Sequence, residues 1–505
     1  MRIVYGSLRS VRRAAALAYT STAVGLLSGL VYTPWMIGVI GQANYAIYSL
    51  VLSTVALVAL DLGLTSAASR FLAVYLAKGD LPGAGRVLGV ILKVFVILAA
   101  ILMVSLSLIF FLSPVLFHGL SEGEIDSFRL CLAVFGFYSV VTFPLRPLDG
   151  VLLASELLVP YKALELAQRL LTVTLMAGSL LMGGDLFGLI IANIFANMVV
   201  ILLRLRAVVR HTEVRPEFRV SERGAFREVF NFGVWTTIIS VAQRLIINIT
   251  PLILASRASV KSVAVFAIAT TIEGYVFALA GALNGLFLPR VTKLVVGPKL
   301  ASAELLALLI KVGRFQFMLI GTIVGGFLLL GDSFIRLWVG TEFKDSYQVT
   351  VLLLLPAILT ATMDVAQTAL IAAGDIRQRA IASLIVASIS LPLSIVLSPK
   401  FGALGAAMGI FVGSIVGSIG YMVSAYARHL RLNVAKFFLE VHVKMGVWLC
   451  LGAIVTYGAS TIHPIRSWGD FTLHGLGYMF VLSLFLGISK TGRDELLRLV
   501  GRGAA

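Results

Sequence analysis

Several cationic side chains lie inside long apolar stretches of this sequence, among them Lys93, Arg146, Arg244 and Lys311. The two lysines are separated by 218 residues. Ammonium and guanidinium groups bind phosphate oxygens by charge-assisted hydrogen bonds, and guanidinium does so through a planar fork of donors. Four such groups in apolar surroundings predict an anionic ligand. A diphosphate suits their chemistry, although composition does not identify which one.

Three carboxylates occupy similar apolar surroundings and are candidates for ion coupling. They are Asp61 in "LDLGL", Glu273 in "TTIEGYVF" and Asp364 in "ATMDVAQ". Each can bind a coupling cation, H⁺ or Na⁺, or can be a buried carboxylate that accepts structural hydrogen bonds. Glu273 has a further alternative, an ion pair with Arg244, because an unpaired Arg at the centre of a membrane costs at least ~2.5 kcal/mol.

The cations also have structural alternatives. Lys93 and Lys311 lie about seven residues inside their predicted spans, roughly 10 Å at 1.5 Å per residue, from where a lysine stem can reach the interface. Arg146 and Asp149 are three residues apart and can neutralise each other. Pro144 and Pro147 flank Arg146 and predict a broken helix, whose freed carbonyls need protein or water nearby.

The elements that carry these residues are predicted to be membrane-spanning helices. Of the 505 residues, 59% are hydrophobic and 13% are charged, and the mean hydropathy is +0.99. Soluble domains carry about 25% charged residues, and apolar stretches of about 20 residues are long enough to cross a bilayer. The sequence therefore predicts an all-α polytopic membrane protein.

Fourteen spans are predicted, six before and six after a long basic segment and two at the C-terminal end. They cover residues 14–40, 44–68, 87–112, 129–153, 161–182, 186–206, 229–255, 262–288, 304–330, 348–373, 379–398, 403–426, 437–460 and 470–489. The apolar stretch that begins at Ala14 is too long for a signal-peptide core, so it is interpreted as the first span.

The positions of the cations predict the orientation. One set of loops and termini holds 28 of the 41 Lys and Arg, and the opposite set holds seven. Cytoplasmic loops carry the excess of Lys and Arg, so both termini are expected in the cytoplasm and the protein in the cell (inner) membrane. The net charge of +17 reflects this bias and needs no nucleic-acid partner.

The chain is predicted to contain two similar lobes. Residues 14–206 form the N-terminal lobe, 207–228 a basic cytoplasmic linker, 229–427 the C-terminal lobe, and 437–489 the last two spans. "TPWMI" at 33–37 and "TPLIL" at 250–254 match at nearly the same interval as the two lysines. Six spans per copy imply parallel repeats around a central cavity, to which Lys93 and Lys311 each contribute one cation.

No signature of catalysis or metal binding accompanies these spans. Cys131 and Cys450 both lie in apolar segments and support neither a disulfide framework nor a metal motif. The six histidines show no HExxH-type spacing, and no phosphate-binding GxxxxGK[ST] loop is present. We therefore expect no catalytic residue, no metal and no bound cofactor.

Residues 40–80, "IGQANYAIYSLVLSTVALVALDLGLTSAASRFLAVYLAKGD", resemble the early region of bacterial polysaccharide-export flippases. The resemblance lies in a Gly-x-x-x-Tyr-Ala motif, a Leu-Asp-Leu-Gly-Leu motif, an Arg and a cytoplasmic Gly-Asp. The twelve-plus-two spans and the two lobes are similar to the same superfamily, the multidrug/oligosaccharidyl-lipid/polysaccharide (MOP) exporters. By motif the resemblance is confined to about residues 38–80.

The resemblance implies a two-lobed carrier that moves a polyprenyl-diphosphate-linked oligosaccharide from the inner to the outer leaflet, coupled to H⁺ or Na⁺. Its partners would be the anionic lipid-linked oligosaccharide and the bilayer. The protein would act as a monomer in contact with glycan-assembly enzymes. The cations Lys93, Arg146, Arg244 and Lys311 match the family's cationic cavity by chemistry only.

Two other functions remain open. A multidrug exporter of the same superfamily usually has twelve spans and a cavity for organic cations. The two extra spans and the buried Arg and Lys of this sequence argue against that function. A membrane glycosyltransferase or polymerase needs acidic catalytic residues and a sizeable outer loop. The longest outer loops here run to about 17 residues, near 113–128 and 331–347.

The predicted orientation can be tested by cysteine labelling. Cysteines introduced at positions 215 and 345, in a background without Cys131 and Cys450, should react with an impermeant thiol reagent from opposite sides of the membrane. Position 215 should react from the cytoplasm. Reaction of both positions from one side would rule out this topology.

Overall fold

The computed structural model describes residues 8–218, 223–284, 291, 294–295 and 302–488, and every regular element among them is helical. Hydrocarbon offers no hydrogen-bonding partner to the backbone, so apolar segments of this length satisfy their own N–H and C=O groups as helices. Both termini, residues 219–222 of the basic linker and the end of the predicted eighth span lie outside the described residues.

The chain divides into two compact units, Met1–Ala264 and Val265–Ala505. The helices of the first unit are α1 (Leu8–Val58), α2 (Leu64–Ala77), α3 (Leu81–Leu116), α4 (Glu122–Thr142), α5 (Pro147–Ala154), α6 (Leu158–Leu181), α7 (Leu186–His211), α8 (Arg223–Ile247) and α9 (Thr250–Arg257). The boundary falls inside α10 (Val260–Asn284). The first unit thus includes α8 and α9, and the predicted lobe boundaries at 206 and 229 stay a prediction.

The second unit is likewise helical. Its helices are α11 (Ser302–Trp338), α12 (Ser346–Thr362), α13 (Asp364–Ala372), α14 (Ile376–Phe401), α15 (Ala403–Gly413), α16 (Met422–His429), α17 (Val434–Phe438), α18 (Lys444–Ile462) and α19 (Trp468–Ile488). Single π-helical stretches, Ser414–Tyr421 and Leu439–Val443, join α15 to α16 and α17 to α18.

Eleven helices in the described part of the chain are long and apolar enough to cross a membrane, or twelve if α12 and α13 form one bent span. α1 covers the first predicted span and the second as far as Val58, with a kink at Gly41 (φ 80°, ψ 163°) between them. α19 coincides with the fourteenth predicted span. The multi-pass all-α architecture is confirmed, and the number fourteen stays a prediction.

Breaks interrupt several spans at membrane depth. A 3₁₀ turn, Phe143–Leu145, separates α4 from α5, as the two prolines predict. α12 and α13 meet at a bend of 50° just before Asp364. Arg146 and Asp364 are 218 residues apart, the same interval as the two lysines. Equivalent spans therefore break at equivalent positions, which supports the internal repeat.

A glycine ladder lets α14 and α15 approach each other closely. Gly405, Gly409, Gly413 and Gly417 recur every four residues and so share one helix face. A methyl group placed on Gly409 would lie 2.8 Å from the Ser390 carbonyl oxygen. Small residues at such spacing are a common means of close helix packing in membranes. We therefore interpret the ladder as a packing device.

The ladder predicts a steric effect on stability. Gly409→Leu should destabilise the second unit by about 1–3 kcal/mol, because the side chain has no free volume to enter. Gly178→Leu is a matched control, since an added carbon at Gly178 meets nothing within 4 Å. Thermal unfolding in detergent measures both variants, and equal melting temperatures would contradict this packing role.

Candidate functional site

The second predicted span is broken in the "LDLGL" segment. α1 ends at Val58 and α2 begins at Leu64, and the residues between them are not helical. Leu62 and Gly63 both have positive φ angles, 50° and 68°. The Val55 and Val58 carbonyls accept hydrogen bonds from the N–H groups of Ala59 and Leu60, whereas the other carbonyls at this helix end need donors from elsewhere in an apolar layer.

Two of the predicted cations supply donors to this helix end. Arg244 Nη1 donates a hydrogen bond to the Ala56 carbonyl. Arg146 Nη1 lies 3.5 Å from the Ala59 carbonyl oxygen. A positive charge is also favourable at a helix C-terminus, where the helix dipole is negative. Arg146 and Arg244 thus stabilise the break, and the hydrogen bond from α8 ties that helix to the end of α1.

A second contact from α8 fixes the turn that follows. Thr237 Oγ1 donates to the Leu62 carbonyl at 2.6 Å. Space does not demand glycine at position 63, since an added carbon there would lie 3.5 Å from Thr236 Cγ2, an ordinary van der Waals distance. The "LDLGL" motif therefore needs glycine at this position for its positive φ, and α8 packs directly over it.

A polar cavity of about 710 Å³ opens beside this break, within the first unit. Four ionisable side chains line it, Asp61, Arg146, Asp149 and Arg204. Amide, hydroxyl and apolar groups from α1, α4, α6 and α7 complete the wall, among them Gln168, Asn197, Tyr138 and Ser139. A cavity of this size accommodates a small polar ligand or head group.

The sequence allowed Asp149 to neutralise Arg146, but the structure pairs Asp149 with Arg204. Their Oδ2 and Nη1 atoms are 3.0 Å apart, and both side chains are mostly buried. Asp149 and Arg146 still interact electrostatically. Pairing at α7 is favoured because Arg204 lies about two turns before the end of α7 and reaches the first turn of α5.

A chain of hydrogen bonds extends this ion pair across three helices. Arg204 Nη2 donates to Gln168 Oε1 at 2.8 Å, and Gln168 Nε2 donates to Asn197 Oδ1 at 2.6 Å. Asn197 Nδ2 donates to the Asn193 carbonyl, and Asn193 Nδ2 donates to the Tyr48 hydroxyl at 3.2 Å. Buried polar groups that satisfy one another in this way hold a cavity wall rigid.

Arg146 is the cation that the cavity leaves most available. Its guanidinium lies 4.8 Å from the centre of the Phe143 ring and interacts electrostatically with Asp61 and Arg244. The side chain is exposed although it lines a cavity. Among the described residues, one of its five N–H donors is hydrogen-bonded, to the Ala59 carbonyl, which leaves donors for a ligand.

The structure places the remaining predicted residues elsewhere. Lys93 is not among the cavity-lining residues, and its Nζ donates to the Phe218 carbonyl at 2.6 Å. Lys311 is exposed on α11, and Glu273 is half-buried on α10. Asp364 begins α13 and interacts electrostatically with Arg379. The cavity shared by the two lysines stays a prediction.

The polar wall of the cavity was not predicted from the sequence. Arg204 falls among the surface cations of the linker when only the sequence is considered, whereas α7 continues to His211. The available signal was the pair Asn193 and Asn197, four residues apart in an apolar helix and therefore on one face. Gln168 was the third polar residue at similar depth.

Comparison with known proteins assigns the class. A sequence model of the family described as "Polysaccharide biosynthesis protein" matches residues 11–294, more than half of the chain. The chain therefore belongs to this family. A comparison with curated proteins gives no match.

Solved structures give the same fold. The lipid II flippase MurJ in its inward closed conformation matches with a TM-score of 0.69 and 13% identity, covering 94% of this chain and 98% of that one. An inward-facing multidrug resistance MATE transporter matches with a TM-score of 0.65 and 16% identity, covering 83% and 99%. A MOP superfamily transporter from Pyrococcus furiosus matches with a TM-score of 0.60 and 17% identity, covering 83% and 96%.

The family match confirms the polysaccharide family that the sequence predicts, and the solved structures share its all-helical fold. The chain has the fold of these structures, which are a lipid II flippase and transporters. At these identities the solved structures establish the fold alone. The substrate, the coupling ion and the roles of individual residues are therefore proposals.

The Asp149–Arg204 pair predicts a non-additive effect on stability. Arg204→Leu alone should destabilise the protein more than the double variant Asp149→Leu/Arg204→Leu, because the single change leaves an unpaired carboxylate in the cavity wall. A double-mutant cycle from thermal unfolding in detergent should give a coupling energy of about 0.5–3 kcal/mol. Additive single effects would contradict the pairing.

Proposed function

We propose that the protein is a flippase for a polyprenyl-diphosphate-linked oligosaccharide and moves it from the inner to the outer leaflet by alternating access. The observation that carries the proposal is the exposed Arg146 guanidinium in a polar cavity of about 710 Å³. A planar guanidinium with spare donors binds a diphosphate through two parallel hydrogen bonds. The family's role in polysaccharide biosynthesis supports a glycan-carrying substrate.

The polar wall suits the rest of such a head group. Amide and hydroxyl groups donate and accept hydrogen bonds, as the hydroxyls of a sugar require. The Asp149–Arg204 pair contributes little net charge, because its two groups neutralise each other at 3.0 Å. Arg146 then provides the attraction for an anion, and the lipid tail stays in the bilayer while the head group crosses.

Ion coupling is part of the proposal. Asp61 lines the same cavity and interacts electrostatically with Arg146. A diphosphate that binds Arg146 competes with Asp61 for this charge, so the carboxylate would take up H⁺ or Na⁺ when the anion arrives. Glu273 and Asp364 are the corresponding candidates in the second unit. Asp364 already interacts electrostatically with Arg379, with which a coupling cation would compete.

The location follows from the same proposal. A substrate made at the inner leaflet requires the cell membrane, with both termini and the basic linker in the cytoplasm. The protein would act as a monomer, with glycan-assembly enzymes as its neighbours.

The proposal can be tested in liposomes that contain a fluorescent undecaprenyl-diphosphate oligosaccharide, with outer-leaflet quenching as the measure of flipping. Arg146→Ala should slow flipping at least about tenfold, because a hydrogen bond to a charged group is worth about 1.5–3 kcal/mol. Arg146→Lys should restore only part of the rate, since a point charge cannot reproduce the planar fork.

Arg257→Ala is the matched control, because Arg257 is an exposed arginine at the end of α9 and does not line the cavity. This variant should flip the lipid at the normal rate. Normal flipping by Arg146→Ala, at equal protein abundance in the liposomes, would overturn the proposal.

A further inference from the structure

The basic linker does not leave the first unit at the end of α7. Residues Thr212–Phe218 have no helical structure and lie along α3, and we call this segment the strap. The strap backbone touches α3 at two glycines. A methyl group on Gly85 would lie 2.5 Å from the Arg215 carbonyl oxygen, and one on Gly89 would lie 2.0 Å from the Glu217 carbonyl oxygen. Any larger residue at either position would displace the strap.

Hydrogen bonds fix the strap on this glycine face. The Glu217 N–H donates to the Gly85 carbonyl at 2.9 Å. Lys93, one turn beyond Gly89, donates from Nζ to the Phe218 carbonyl at 2.6 Å. Gly85, Gly89 and Lys93 are spaced four residues apart and therefore share one face of α3. Lys93 thus holds the C-terminal end of the strap against α3.

The near end of the strap is held by α7. Arg215 Nη2 donates to the Val209 carbonyl at 3.0 Å, and Arg215 Nη1 donates to the Thr212 carbonyl at 2.9 Å. Val214 is only 2% exposed and Thr212 is 8% exposed. The strap is thus packed at its start and hydrogen-bonded at its end.

The equivalent helix of the second unit carries no such strap on the corresponding face, among the described residues. The residues 218 positions after Gly85, Gly89 and Lys93 are Ala303, Ala307 and Lys311, and all three are exposed on α11. The chain after α16 instead packs with buried residues of another face: Leu430 and Leu432 belong to one hydrophobic cluster with Leu305 and Leu308. Among the described residues, only the glycine-bearing copy carries a strap on this face.

We propose that the strap is a substrate-released latch, in which Lys93 exchanges the Phe218 carbonyl for the phosphate of an incoming lipid head group. This inference rests on the proposed function. A phosphate accepts a stronger hydrogen bond from an ammonium group than a neutral carbonyl does, because both partners are charged. An anionic head group that binds Lys93 therefore breaks the hydrogen bond between Lys93 and the Phe218 carbonyl, which holds the end of the strap on α3.

Release has a mechanical consequence. The strap is the first part of the linker between the sixth and seventh spans, so undocking lengthens the free connection between them by up to seven residues. While the strap is docked, the short free linker restrains the conformational change of alternating access. After the strap is released, the longer linker no longer restrains it. Lys93 is then a substrate-binding residue that couples capture of the head group to the conformational change.

The docking itself can be measured without substrate. In a background without Cys131 and Cys450, the labelling rate of Val214→Cys measures whether the strap is docked, because this side chain is buried in the docked strap. An impermeant maleimide should label it slowly. Lys93→Gln and Gly89→Leu should each raise the labelling rate about tenfold or more, as loss of a charged hydrogen bond or a steric clash implies.

Matched controls are Lys78→Gln and Gly178→Leu. Lys78 is an exposed lysine near the start of α3, and an added carbon at Gly178 meets nothing within 4 Å. Both should leave the labelling rate unchanged. Slow labelling of Val214→Cys in the Lys93→Gln and Gly89→Leu proteins, at normal abundance, would overturn the docked strap. Lys93→Gln introduces no bulk, so it tests docking even if Gly89→Leu folds poorly.

The exchange is tested by adding undecaprenyl diphosphate to the vesicles. It should accelerate labelling of Val214→Cys when Lys93 is present and give no further acceleration in Lys93→Gln. Neutral undecaprenol should have no effect in either protein. A docked strap that does not respond to the diphosphate lipid would overturn the exchange. Failure of the proposed function has a different signature, since it abolishes the dependence of flipping on Arg146 and leaves the docking measurements intact.

Discussion

The structure depends on one constraint: backbone groups inside an apolar layer must find partners within the protein. An unbroken helix meets this constraint by itself, whereas each break exposes carbonyls and N–H groups that something else must satisfy. The break after α1 is the clearest case. Arg244 donates to Ala56 there, and Arg146 approaches Ala59. A hydrogen-bonding need of the main chain therefore brings guanidinium groups to membrane depth.

Polar groups gathered for this structural reason also create a place for a ligand. Arg146 lies just after the 3₁₀ turn that breaks the fourth span, so one broken helix provides the cation and another provides the carbonyls beside it. Another part of the wall is hydrogen-bonded internally through Arg204, Gln168 and Asn197, although Arg204 Nε and Asp149 Oδ1 are buried without a partner among the described residues. The cavity thus combines a hydrogen-bonded wall with two further charges, Arg146 and Asp61, and an anion that binds Arg146 competes with Asp61 for it.

The sequence predicted the class of fold because the length of each apolar stretch and the positions of Lys and Arg can be read directly from it. It also located the break at Arg146, since Pro144 and Pro147 cannot continue a helix. Partners were harder to predict. Asp149 has Arg146 close by in sequence but forms its ion pair with Arg204, 55 residues away. The choice of Asp149 between Arg146 and Arg204 depends on how α5, α6 and α7 pack. That packing cannot be predicted from a single sequence.

The glycine ladder between α14 and α15 also limits how a lipid can move. The two backbones approach so closely that even a methyl group at Gly405 would lie 2.5 Å from the Leu397 carbonyl oxygen. A prenyl chain is far wider than a methyl group. The seam from Gly405 to Gly417 is consequently closed over about three turns. In the proposed flipping, the lipid tail would therefore pass the second unit along a different pair of helices.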